Sequence, residues 1–172
     1  KQIHPKEHPT TKILFVCHGN ICRSPMAQSV MTHLVTQAGL KDFFQIDSAA
    51  TSREEIGNPV HPGTRKKLRA EGIPLIPHTA RQMRRQDYGE YDLLIPMDRN
   101  NFRNMYRIVG NDPQGKIRLL LDFTTRPSDI ADPWYTGDFD ATTATFWRGA
   151  GAFSPTAAPR CKTFLDTPIC PC

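Results

Sequence analysis

Apolar positions fall in short bursts along the first two thirds of the chain, with polar stretches of helical spacing between them. "KILFV", Lys12 to Val16, is a brief run rich in strand formers and reads as a buried strand. After a loop, "SPMAQSVMTHLVTQAGL" places Met26, Val30, His33, Leu34 and Gln37 on one helical face. Ser24 is the expected cap of that helix, Pro25 its first residue and Gly39 its end. "FFQIDSAA" predicts a second strand, and "HPGTRKKLRAEG" a second helix closed by Gly72. "ARQMRRQDY" reads as a short helix and "YDLLIPM" as a strand buried on both faces. "NNFRNMYRIVG" predicts a further helix and "KIRLLLDF" a fourth strand. Strands that alternate with helices imply parallel βαβ units. The expected fold is therefore α/β, a doubly wound four-stranded parallel sheet with flanking helices.

The pattern stops at both ends. Residues 1–11 read as a flexible arm, because Pro5 and Pro9 oppose any helix that would align His4 with His8. Residues 12–142 carry the periodic pattern of one domain. From Thr143, "TATFWRGAGAFSPTAAPRCKTFLDTPICPC" shows no helical period, so residues 143–172 read as an atypical tail. Back-translation offers a cause. One base restored within the codon of Thr142 permits the frame "ATYRDVLEGCRGLL", which has the spacing of a packed helix. A one-base deletion replacing the final helix is the expectation for this tail, and one face of the sheet is expected to lose its cover.

Composition narrows the classes. A chain of 172 residues suits one domain with a sizeable core. No apolar run approaches the ~20 residues of a membrane span. "KQIHPKEHPTT" has no apolar signal-peptide core, so a cytoplasmic protein without membrane contact is expected. The net charge of +5 suits an anionic substrate. The basic clusters "TRKKLRAEG" and "ARQMRRQ" lack interleaved aromatics and read as solvated helix faces, not a nucleic-acid surface. The five cysteines show no paired C-x2-C spacing, so no metal and no other cofactor is expected.

The candidate chemistry lies after the first strand. In open α/β sheets ligands bind beyond the carboxyl ends of the strands, where the strand order reverses. Cys17 occupies such a place. Its loop, "CHGNICRS", feeds a helix N-terminus, and His18, Gly19, Asn20, Ile21 and Cys22 offer backbone N–H groups to an anion. Gly19 allows close approach, and Asn20 tolerates left-handed geometry. Arg23 can fork onto two phosphate oxygens. Thiols in such nests are acidified from about 8.5 into the ~3.5–7.5 range. Ser24 is placed to hydrogen-bond the sulfur as it leaves. Taken alone, a strand-final cysteine is usually inert packing. The Gly-Asn turn and the Arg-Ser-Pro helix entry make this one a nucleophile. "DIADPWYTGDFD" supplies the acid: Pro133 fixes the backbone beside Asp132, and Trp134 and Tyr135 can wall a cleft. An acid among aromatics is partly desolvated, which keeps it protonated.

From about Lys12 to Thr142 these motifs resemble the low-molecular-weight protein tyrosine phosphatases, especially their bacterial members. "VCHGNICRSP" is similar to the family's phosphate loop, "DPWYTGDFD" to its acid loop, and "DSAATS" and "HTARQM" to internal segments. The resemblance implies hydrolysis of phosphotyrosine in proteins or peptides through a cysteinyl-phosphate. Cys17 would be the nucleophile, Arg23 the phosphate ligand, and Asp132 the acid and then the base. It implies that Asn20, Ser24, Ser48 and His78 form the network holding the loop, and that Cys22 is a redox partner for Cys17. It also implies inhibition by phosphate or vanadate, and a monomer or weak dimer. Where many members carry an aromatic rim residue, this chain has Arg53, Glu54 and Glu55. The substrate rim is then Trp134 and Tyr135 with Glu54. Arginine phosphatases carry Thr at the position of Ile21, and arsenate reductases need further redox cysteines, which here lie only in the tail. These two activities, and an inactive phosphate-binding relative, are the alternatives.

Overall fold

The central strand sends alternate side chains into two apolar layers, and the rest of the chain is arranged to cover both. The computed structural model describes residues 9–152. Its strands are β1 (Thr11–Cys17), β2 (Phe44–Ala50) and β3 (Leu93–Pro96). Its helices are α1 (Arg23–Gln37), α2 (Pro62–Ala70), α3 (Asp87–Glu90), α4 (Arg99–Val109), α5 (Pro133–Thr136) and α6 (Phe139–Ala152). The strands pair in the order β2-β1-β3, all parallel, with Ile13 opposite both Ile46 and Leu93. Ile13, Phe15, Leu93 and Ile95 pack into the layer that holds Met26, Val30 and Met31 of α1 and Phe146 of α6. Leu14, Val16 and Leu94 pack into the opposite layer with Met105 and Val109 of α4. The chain leaves β1 toward β2 on one side and later returns to β3 on the other. The loop after Cys17 therefore opens into the crevice at the switch point.

Four expectations are corrected. The sheet has three strands among the described residues, not four. "KIRLLLDF" makes a single parallel bridge, Ile117 to Leu94, and then winds into a 3-10 turn, Leu120–Phe123. That turn buries Leu120 and Leu121 in the α1/α6 layer, so the leucine run serves helix packing instead of pairing. "ARQMRRQDY" is extended for most of its length. The Ala50 N–H donates to Arg81 O and the Met83 N–H to Ala50 O, each at 2.7 Å, and only Asp87–Glu90 is helical. Ser24 does not cap α1. Cys22 holds the cap position without a side-chain bond, and Ser24 lies inside the helix, fully buried. The predicted face of that helix also shifts. Gln37 is exposed, whereas Met31 and Val35 are buried.

The stretch after Thr142 begins in a way that its composition does not suggest. Its first ten residues are helical, completing α6, and residues 153–172 lie outside the described residues. Phe146 and Ala150 are buried against α1 and the Leu120 turn, so that face of the sheet keeps its cover. Gly149 makes the approach possible: a Cβ there would fall 2.6 Å from Leu120 Cγ. Removing the Phe146 side chain is expected to leave a cavity costing ~3–5 kcal/mol. Urea unfolding of Phe146→Ala measures this; a loss within about 0.5 kcal/mol would mean that α6 does not pack.

Candidate active site

The loop between β1 and α1 turns sharply because Asn20 adopts a left-handed conformation, φ 59°. It is the one non-glycine residue with positive φ among the described residues. Its side chain is completely used. Nδ2 donates to Ser24 Oγ at 2.8 Å and to Ser48 Oγ at 3.0 Å. Oδ1 accepts from His78 Nε2 at 2.8 Å and from the Arg81 N–H at 3.1 Å. The backbone of the same residue turns inward, and its N–H lies 3.2 Å from Cys17 Sγ. Ser48 passes its own proton on to Gln28 Oε1, 2.7 Å away.

These bonds orient the groups around the sulfur. Ser24 Oγ accepts from Asn20, and its proton has two acceptors in reach, Cys17 Sγ at 3.0 Å and the more distant Ala49 O at 3.4 Å. Cys17 is buried at the strand end, where the Asn20 N–H donates to it and the Ser24 hydroxyl lies within hydrogen-bond reach. An amide oxygen can only accept, so His78 must carry a proton on Nε2. Burial dominates its environment and, with Arg81 nearby, lowers its pKa from 6.5 despite the bond to Asn20. Its surroundings thus favour the neutral imidazole, with the proton on Nε2.

Arg23 lies under the loop with its side chain almost wholly buried between two carboxylates. Nη1 donates to Asp98 Oδ2 at 2.6 Å and to Ile130 O at 3.0 Å, and Nη2 to Asp132 Oδ2 at 3.0 Å. Burial disfavours its charge, but Cys17, Asp98 and Asp132 outweigh that and raise its pKa. Its Nε is buried with no partner among the described residues, a donor in reserve. Asp132 caps α5, taking the Trp134 N–H on Oδ1 at 3.0 Å. Cys22 sits beside this cluster. Burial first, then the charge of Cys17 and Asp132, push its thiol up to about 12.

These residues enclose an open cleft of about 490 Å³, counting the space at its mouth. Cys17, Cys22 and Arg23 line its depth, and His18, Gly19 and Ile21 one side. Glu54, Glu55, Asp132, Trp134 and Tyr135 complete the wall. Trp134 and Tyr135 are 56% and 82% exposed. His18 Nε2 and Glu54 Oε2 meet at 2.9 Å across the mouth. Space at Gly19 is tight: a Cβ would lie 3.2 Å from Glu55 Cγ, so that side chain would have to give by a few tenths of an ångström. Asn20, Ser24, Ser48 and His78 stand behind the cleft as supports.

Sequence reasoning missed three participants and gave Glu55 no part in the site. Asp98 fixes Arg23 while its Oδ1 caps α4 through the Asn101 N–H at 2.7 Å. "MDRNN" does signal that cap, but the contact with Arg23 spans the fold and leaves no local trace. Gln28 and Arg81 extend the network behind Asn20, and the Glu55 side chain lies over Gly19.

Three comparisons bear on this site. A family model described as low molecular weight phosphotyrosine protein phosphatase matches residues 12–154. The chain is 41% identical over 130 residues to the low molecular weight protein-tyrosine-phosphatase YfkJ of Bacillus subtilis, covering 74% of this chain and 83% of that protein. The crystal structure of YfkJ superposes with a TM-score of 0.84 at 35% identity, covering 90% of this chain and 98% of that one. The low molecular weight phosphotyrosine protein phosphatase of Homo sapiens is 38% identical, covering 78% of this chain and 86% of that protein. A Drosophila arginine phosphatase matches with a TM-score of 0.74 at 30% identity, covering 83% and 95% of the two chains.

The lowered pKa of His78 makes stability depend on pH. The folded state binds this proton less readily than the unfolded state. The contribution is complete above the unfolded value near 6.5 and is lost as pH falls below it toward the lower folded pKa. The melting temperature should therefore drop on acidification from pH 8 to 5, and His78→Gln should flatten that slope. An unchanged slope in the variant would remove His78 as its source.

Proposed function

The chain belongs to the low molecular weight phosphotyrosine protein phosphatase family, and from that premise we propose a metal-free mechanism for hydrolysing phosphotyrosine in proteins, centred on Cys17. The observation that carries it is the convergence on one cleft of Cys17, Asp132 and a buried Arg23 with one N–H unused. The phosphoryl group binds over the loop, taking the Arg23 guanidinium and loop N–H groups on its oxygens. It competes for the Nη2 that Asp132 now holds, and so frees the carboxyl for the leaving oxygen.

The Cys17 thiolate attacks phosphorus in line. The bond from phosphorus to the tyrosine oxygen breaks, its electron pair stays on that oxygen, and Asp132, which takes up a proton from solvent once Arg23 releases it, delivers that proton to the oxygen. Water then attacks the cysteinyl-phosphate, Asp132 takes a proton from it, and the phosphorus–sulfur bond breaks. The departing sulfur receives the Ser24 hydroxyl proton as a hydrogen bond, which stabilises it as a leaving group.

Ile21 supports the aromatic substrate over phosphoarginine: it lines the cleft as a branched apolar side chain, a surface that suits a phenol better than a guanidinium. Trp134 and Tyr135 extend that surface, and Glu54 closes the opposite rim with His18. Phosphate and vanadate would compete for the same loop. Cys22 is the proposed redox partner of Cys17; its raised pKa keeps it a thiol until a base takes its proton.

Cys17→Ser should abolish release of p-nitrophenol from p-nitrophenyl phosphate while vanadate binding persists. Asp132→Ala should lower kcat by roughly 10²–10³ with phosphotyrosyl peptide. Steady-state kinetics check both, and turnover by Cys17→Ser would exclude this cysteine as the nucleophile.

A further inference from the structure

His61 belongs to none of the groups that touch phosphate, yet it joins four parts of the fold. Its backbone N–H donates to Ile21 O of the phosphate loop at 2.8 Å. Its Nδ1 accepts the Gly63 N–H at 3.0 Å and so caps α2. One side of its ring stacks on Phe139, the first residue of α6, with centroids 5.5 Å apart and planes 17° apart. Another meets Trp134 edge-on, again at 5.5 Å.

Trp134 is two residues from Asp132 and bonded to it, since its N–H donates to Asp132 Oδ1. α5, the helix that carries this contact, is a single turn of four residues and holds little on its own. The stack beneath it is well fixed. The Phe139 ring lies directly on Gly63, where a Cβ would fall 2.3 Å from Cζ. Lys67 of α2 also meets Asp140 of α6 at 2.7 Å. The acid turn is thus short, its aromatic residue is largely exposed, and its ring contact to the rigid part of the molecule is an imidazole anchored at both ends.

We propose that His61 is a positioning residue for the general acid: its ring holds Trp134, and through it the turn that presents Asp132, in register with the phosphate loop. The inference rests on the reading of Asp132 as the acid. Without the ring the turn is free to drift, and a displacement of about 1 Å at a catalytic group can cost about 10²-fold. The loss falls on protonation of the leaving oxygen. Binding of phosphate by Arg23 and the loop is untouched.

Two substitutions separate this role from capping. His61→Asn keeps an acceptor for the Gly63 N–H and removes the ring. His61→Phe keeps a ring and removes the acceptor. The test is a leaving-group series, from p-nitrophenyl phosphate to phenyl phosphate, with phosphate inhibition measured alongside. In His61→Asn, kcat for phenyl phosphate should fall roughly tenfold or more relative to p-nitrophenyl phosphate, with the phosphate inhibition constant unchanged. His61→Phe should melt at a lower temperature and keep the wild-type leaving-group dependence. Phe139→Leu, which loosens the stack from the other side, should shift the series as His61→Asn does and serves if that variant does not fold. An unchanged series in His61→Asn, or an equal loss for every leaving group with weaker phosphate inhibition, would overturn the proposal. Asp132→Ala is run in parallel. If it leaves the series unchanged, the assignment of the acid fails, and the His61 proposal falls with it for that distinct reason.

Discussion

The site depends on one strained residue. A left-handed backbone is unfavourable for side chains other than glycine by roughly 1–2 kcal/mol, and asparagine tolerates it best. Asn20 is held there by the four hydrogen bonds of its own amide, each worth about 1 kcal/mol net. Those bonds fix it from three directions: the start of α1, the end of β2 and the extended segment at Arg81. The turn that results aims the Asn20 N–H at the cysteine sulfur and sets the Ser24 hydroxyl beside the same atom. A glycine could take the backbone angle, but it would leave Ser24, Ser48 and His78 without their common partner.

Around this fixed loop the charges differ in how firmly they are held. Arg23 is gripped by Asp98 and Asp132, yet the two carboxylates are not equivalent. Asp98 caps α4, eleven residues long and packed on the sheet. Asp132 caps a single turn whose aromatic residues stand in solvent. The first is built to stay and orients the guanidinium. The second can exchange its partner when a phosphoryl group arrives, as an acid must that serves a leaving oxygen and then a water. On the proposed mechanism the fold supplies a rigid half for binding and a looser half for proton transfer, joined through His61.

Much of this was legible in the sequence, and the residues show why. "KILFVC" followed by "HGNICRSP" reads as strand, nest and helix entry because each signal is local: an apolar run, a Gly-Asn turn, a proline in the first helical turn. The supports Ser48 and His78 came only from resemblance, since nothing near them announces a contact some thirty to sixty residues away along the chain. The fourth strand was misread because an apolar Leu run does not say whether it pairs or packs. Here Asp122 accepts the Leu119 N–H at 3.2 Å and starts a 3-10 turn instead. The final helix was missed because its threonines and glycines are poor helix formers. Tertiary packing of Phe146 and Ala150 overrides that weakness, and Gly149 is there because Leu120 leaves no room for a side chain.

The central claim is that phosphate passes through Cys17. Rapid quenching during turnover of a phosphotyrosyl peptide, followed by mass spectrometry of the digested enzyme, tests it directly. The account predicts one phosphoryl group on the peptide that contains Cys17, forming with the burst of released tyrosine and disappearing as phosphate appears. Turnover with no phosphorylated enzyme at any quench time, or with the label on another residue, would contradict it.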